Sequence, residues 1–214
     1  MVDDSWFRRK TWTQEDEAAF FSRLRRSRTA FHKAQYCRIQ ACELQMVGEY
    51  RAALGLLELV MREWPEAAQR AAVYHQKAEC LEKLGQEAAA IEAYRAAFDA
   101  QRKQPTYKTA AHLDFGWLVA TRPYPALYDE ALRILEEFET PSPFPVEEFR
   151  SAAIQAFIWN GKGDRERSRR HAEAALAAMR RTHSGFARHP DLGLVEGVDL
   201  NTCEQLERLA TGKE

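Results

Sequence analysis

Cysteine is scarce in this chain: Cys37, Cys42, Cys80 and Cys203 are its four among 214 residues. None stands in a CxxC pair, which argues against zinc-ribbon and thioredoxin-type chemistry. Four are also too few to staple a domain of this length, so they read as reduced packing residues. β-Branched aliphatics are scarce as well. Valine and isoleucine together number 13 against 34 alanines; alanine loses no side-chain entropy in a helix, so the ratio points to an all-α fold. No apolar run approaches the roughly 20 residues that a membrane span requires. The start, Met1 to Lys10, places acids ahead of its basic residues and has no apolar stretch behind them, unlike a secretory signal, and the expected location is cytoplasmic. Charge of one sign is lacking too, since 31 basic and 32 acidic residues leave a net charge of −1.

What the chain has is a repeat. Two helical hairpins are expected at about 34–65 and 71–104, with glycines Gly48 and Gly85 at equivalent places. In the first, Ala41, Leu44, Gly48, Tyr50, Ala53, Leu57, Val60 and Pro65 supply a small residue, an apolar residue, a helix stop, a second helix and a terminal proline. Tyr74, Ala78, Leu81, Gly85, Ala90, Tyr94 and Ala97 repeat the scheme. The small residue lets two helices approach, the glycine ends the first helix in a left-handed conformation, and the i, i+3, i+4 spacing fills the seam. A further copy spans about 146–180, with Ala156, Trp159, Gly163, Asp164, Ser168, Ala172 and Ala175. Between them lies a degenerate copy at about 105–140, with a helix expected over 105–121 and Gly116 as its small residue. The turn from Thr121 to Ala126 is long for the pattern, and prolines at 141, 143 and 145 stop one helix and start the next.

These hairpins resemble the tetratricopeptide repeat. The resemblance implies one domain over residues 1–214, a right-handed α-solenoid of about four hairpins with caps at 1–33 and 181–214. Thr13 with Asp16, and Asn201 with Glu204, have the spacing that satisfies the orphan amides at a helix start.

Charge is balanced in total and segregated in place. Residues 1–40 carry +4 and residues 161–190 carry +5, whereas 126–149 carry −6 and 191–214 carry −4. Such blocks are either solvated helix faces or steering surfaces for a charged partner. The arginine clusters at 23–28 and at 165, 167, 169 and 170 have no interleaved aromatics for base stacking, so nucleic acid is an unfavoured partner.

Chemistry finds little footing. His112, Asp114, His171, His183 and His189 do not fall into HExxH or any zinc spacing, and no metal or cofactor is expected. Ser184-Gly185 is outside a GxSxG elbow, and Gly161-Lys-Gly163 belongs to a helix turn. The consecutive pairs Glu136-Glu137 and Glu147-Glu148 point to different helix sides and do not converge as an acid/base pair would. The chain is therefore expected not to be an enzyme.

The tetratricopeptide resemblance implies a binding groove lined by the first helix of each hairpin. Its groove positions fall on Gln35, Arg38, Cys42 and Gln45, then His75, Glu79 and Glu82, then Leu113 and Trp117, then Phe157 and Asn160. Glu79 and Glu82 would repel a partner's C-terminal carboxylate, which disfavours a chaperone-tail adaptor. Trp117 and Phe157 are either interface anchors or inter-helix packing. The segment Thr182 to Val195 is either a clasp on the last hairpin or a partner-contacting loop.

Three phrases, Trp6-Phe-Arg-Arg-Lys-Thr-Trp12, Ala34-Gln-Tyr-Cys-Arg-Ile-Gln-Ala41 and Ser184-Gly-Phe-Ala-Arg-His-Pro-Asp-Leu-Gly-Leu-Val195, are similar to a group of bacterial helical-repeat proteins found beside polymorphic secreted toxins. That resemblance implies an immunity protein that binds and neutralises a cognate toxin. The alternatives are a general peptide-binding scaffold and, behind it, a nucleic-acid-associated regulator.

Overall fold

The computed structural model describes residues 5–66, 69–122 and 124–212. The acidic start of the chain, Pro123 in the expected long turn, and residues 213–214 of the C-terminal cap lie outside the described residues. All the regular structure among the described residues is helical. The α-helices are α1 (Gln14–Arg25), α2 (Ala30–Met46), α3 (Tyr50–Glu63), α4 (Arg70–Lys83), α5 (Glu87–Lys103), α6 (Ala111–Thr121), α7 (Tyr128–Phe138), α8 (Pro145–Gly161), α9 (Arg165–Met179) and α10 (Leu200–Thr211). Short 3-10 turns at Ser5–Phe7 and Pro125–Leu127 precede α1 and α7. No described helix is long and apolar enough to cross a membrane.

The chain divides into two compact units, Met1–Ala111 and His112–Glu214. In the first, α2 packs on α3, α3 on α4, and α4 on α5. In the second, α8 packs on both α7 and α9, and α10 lies on α9 and touches α8.

Three of the turns are chemically identical. Gly48, Gly85 and Gly163 have φ of 84°, 73° and 79°, a conformation that only glycine adopts without strain. After Gly48, the Glu49 amide donates to Leu44 O at 2.9 Å while the Gly48 amide donates to Gln45 O at 3.1 Å. The Gln86 and Asp164 amides repeat the first of these bonds, to Leu81 O and Trp159 O. These paired bonds satisfy the last carbonyls of α2, α4 and α8 and reverse the chain.

The third copy departs from this scheme. Helix α6 starts at Ala111, not at 105, because the buried Gln101 side chain accepts from both the amide and the hydroxyl of Thr109 at 3.0 Å. That holds the preceding residues in a turn. Close approach comes from Gly116: a Cβ there would lie 3.1 Å from two methyls of Ile154 on α8. Gly161 plays the same part for Tyr128, whose ring atoms would stand 2.7 Å from an added Cβ.

The first unit's core gathers Phe7, Phe20, Leu24, Leu44, Leu57 and Val60, and the second unit holds Phe149, Leu176 and Leu206 among alanines. Thr13 and Asp16 form a reciprocal capping box at the start of α1, as the sequence suggests. The cap of α10 is Asp199 rather than Asn201: its Oδ1 accepts from the Thr202 amide at 3.0 Å and its Oδ2 from the Thr202 hydroxyl at 2.7 Å. Since Leu200 is already helical, Asn201 falls inside the first turn.

Candidate functional site

In the first unit the expected groove positions gather on one face of α2 and α4. The Gln45 amide donates to Gln76 O at 3.2 Å and to Glu79 at 3.4 Å, and the Gln76 side chain donates back to Gln45 Oε1 at 3.2 Å. Arg38 reaches Gln76 Oε1 at 3.5 Å, and burial pulls its guanidinium below its ordinary pKa. The Tyr94 hydroxyl donates to Glu82 at 3.2 Å, and its ring lies 6.2 Å from that of His75. Gln35, Arg38, Gln45, His75, Glu79 and Glu82 are all half-buried. Arg38, Gln45, Gln76 and Glu79 are cross-linked into a polar surface with both acceptors and donors, suited to hydrogen-bonding a partner without large rearrangement. Gln76, fully within this network, is the residue that groove positions alone do not pick out. Its place follows from lying one helical turn before Glu79 and Cys80.

In the second unit Trp117 and Phe157 are half-buried, meet edge to face at 6.2 Å, and pack on the alanine-rich core. Leu113, aligned to the groove, is instead 4% exposed and belongs to the core. Leu113 lies one turn before Gly116, on the side of α6 that meets Ile154 of α8. Phe157 and the exposed Asn160 also line a cavity of about 620 Å³ formed by the end of α8, the start of α9 and the end of α10. Its size is that of a ligand site. The contribution of α10 is invisible in the repeat pattern, because only tertiary packing places its last turn there.

The charge blocks partly meet one another. Lys162 bonds Asp129 and Arg181 bonds Glu148, each at 2.6 Å, so basic residues of 161–190 face acids of 126–149. Along α9, Arg169 pairs with Glu173 at 2.5 Å, Arg167 with Asp164 at 3.3 Å, and the Arg167 guanidinium lies 4.4 Å over the Trp159 ring. Exposed pairs of this kind stabilise little, at about 0–1 kcal/mol each.

The histidines are scattered. His112 lies 6.4 Å from the Phe138 ring, and Asp114 accepts from Arg150 at 2.6 Å. His171 is half-buried, and burial, then the charge of Arg170, push its pKa down against the opposing effect of Glu139. His183 bonds Thr182 at 2.8 Å, and the His189 carbonyl accepts from the Ser184 hydroxyl at 3.0 Å.

Cysteine behaviour divides. Cys37 and Cys80 are buried, and burial pushes both thiols up to about 12. Cys42 is exposed and is not a packing residue, because it lies one turn from Arg38 and Gln45 on the polar side of α2 and not on the side of Cys37, Ala41 and Leu44.

The Thr182–Val195 segment meets the last hairpin, where Val195 packs on the core between α8 and α9, and reaches beyond it. It also binds the proline-rich linker and the first turn of α8: the Gly185 amide donates to Pro143 O and the Val146 amide to Gly193 O, both at 2.9 Å. The Phe144 and Phe186 rings stack at 5.3 Å, and Gly193 accommodates Phe144, since a Cβ there would come within 2.4 Å of the ring.

No protein-family model matches the chain, and no curated protein matches it by sequence. Among solved structures, it is similar to BtubC (BKLC) from P. vanneervenii, with a TM-score of 0.61 and 14% identity. The match covers 87% of this chain and 80% of that one. A likeness at this identity concerns the fold.

Proposed function

We propose that the chain is a non-catalytic protein-binding module whose hairpins, within each unit, are tetratricopeptide-like repeats stacked as in an α-solenoid. Its specific role is that of an immunity protein, which binds and neutralises a cognate bacterial toxin in the cytoplasm. The observation carrying the binding reading is the polar face on α2 and α4. Positions a repeat would turn toward a ligand, Arg38, Gln45, Glu79 and Glu82, are gathered there, half-exposed and already hydrogen-bonded. Inhibition by occlusion needs such a preorganised surface and no chemistry of its own. The resemblance of the three phrases supports the toxin partner. Two of them meet in the first unit, where Gln40 grips Arg9 and Tyr36 packs on Trp6 and Phe7.

A peptide-binding adaptor is the second reading, favoured by the Trp117–Phe157 pair beside an open cavity. The test is co-expression with the products of the adjacent reading frames, followed by size-exclusion chromatography. Under the immunity reading, one neighbour co-elutes with the chain and loses its toxicity, and Glu79→Lys weakens the complex by about tenfold or more. Absence of any complex and of any protection refutes it.

A further inference from the structure

The cavity of the second unit has a chemistry that the repeat pattern does not assign. Its floor is apolar, with Phe157 from α8 and Leu209 from α10. Its rim carries three guanidinium side chains, Arg165 and Arg169 from α9 and Arg208 from α10, against one carboxylate, Glu166. The pairing along α9 offsets this only in part. Arg169 is bonded to Glu173, and Glu166 stands 3.9 Å from Arg170, whereas the Arg208 Nε bond at 3.4 Å goes to the Glu204 carbonyl, which carries no net charge. The walls come from three helices and from Gly212, which ends α10.

We propose that this cavity docks an acidic segment of a partner protein through one large apolar side chain flanked by carboxylates. The apolar side chain covers Phe157 and Leu209, and the flanking carboxylates meet the arginine rim. Arginine is suited to that task because its planar fork accepts a carboxylate through two parallel bonds. A cavity of about 620 Å³ admits one aromatic or leucine side chain with adjoining backbone and leaves the flanking residues at the rim. The assignment rests on the protein-binding reading above and names the partner's chemistry.

The test uses the whole chain and a fluorescein-labelled amide of Gly-Glu-Glu-Leu-Phe-Glu-Glu-Gly, followed by fluorescence polarisation. Saturable binding is expected, falling about tenfold or more in the double variant Arg165→Glu, Arg208→Glu and in high salt. Replacing the peptide's glutamates by glutamine, or its Leu-Phe by Ser-Ser, is expected to cost as much. Both substituted arginines are exposed, so unchanged thermal unfolding serves as the folding control. Lack of saturation at about 1 mM peptide overturns the proposal. Binding indifferent to the double variant overturns it too, as does a site that takes dodecanoate and not the peptide. A complex with a neighbouring gene product that ignores the double variant removes this docking site alone. Peptide binding without any such complex removes the toxin partner and keeps the site.

Discussion

Gln40 offers the sharpest handle on how the N-terminal segment is held. Its side chain is 0% exposed on α2, and its amide pairs with both backbone polar groups of one residue: Oε1 accepts from the Arg9 amide at 2.9 Å, and Nε2 donates to Arg9 O at 2.7 Å. Gln40→Ala removes both partners at once. Each polar group left unmet in a partly buried place costs about 1–3 kcal/mol, and water regains part of it, so a loss of about 2–4 kcal/mol is expected. Urea unfolding followed by the fluorescence of Trp6 and Trp12 measures it, since Trp6 packs on Tyr36 and Trp12 on Phe20. Exchange of the Arg9 amide proton should accelerate in step. Gln40→Glu separates the two bonds, because a carboxylate can accept from the amide and cannot donate to the carbonyl. It should be at least as destabilising near neutral pH and recover part of the loss in acid, where the protonated carboxyl regains a donor. A Gln40→Ala change below about 0.5 kcal/mol, with unaltered exchange at Arg9, would refute the clamp.

Further outcomes follow from the same geometry. Gly48→Ala places a Cβ at φ 84° with open space around it, so backbone strain alone should cost about 1–2 kcal/mol in thermal unfolding, and Gly48→Asn less. Gly116→Ala drives a methyl to 3.1 Å from Ile154 and should destabilise by about 1–3 kcal/mol, with a clearly smaller cost in an Ile154→Ala background, a coupling that a double-mutant cycle reads. The Thr11 hydroxyl, then the Thr13 amide, hold the Asp16 carboxyl at about 2, below its ordinary 3.8. Because the folded value is depressed, its contribution is complete above about pH 4 and lost as pH falls toward 2; carbon-detected titration of Asp16 should show that midpoint, and Asp16→Asn should remove that part of the acid dependence. A disulfide reagent applied to the native chain should modify Cys42 rapidly and leave Cys37 and Cys80 untouched until unfolding, as peptide mapping would show.

The legible parts of this protein are those whose cause is local. Gly48, Gly85 and Gly163 announce their turns because a left-handed residue after an amphipathic helix has few chemical solutions, and the Thr13–Asp16 box works within one helical turn. That Arg38 and Gln45 share one side of α2, and Glu79 and Glu82 one side of α4, was readable because helical periodicity sets it. Misplacement begins where a distant partner decides. Gln101 draws in Thr109 and delays α6, and the approach of Ile154 to Gly116 puts the Leu113 side of that helix in the core. Asp199 and Asn201 are both able caps two residues apart, and the extended backbone at Asp199 selects the first. The Gln40 clamp spans 31 residues of sequence and has no periodic signature. The cavity needs α10 folded against α9, a contact that neither helix encodes alone.

We propose above all that this chain acts by holding another protein. Growth of cells expressing each adjacent reading frame, with and without this chain, measures that claim most directly when paired with co-elution. Protection accompanied by a stable complex that Glu79→Lys weakens is the predicted result. Uniform growth in every pairing with no complex, or protection that persists when no complex forms, contradicts it.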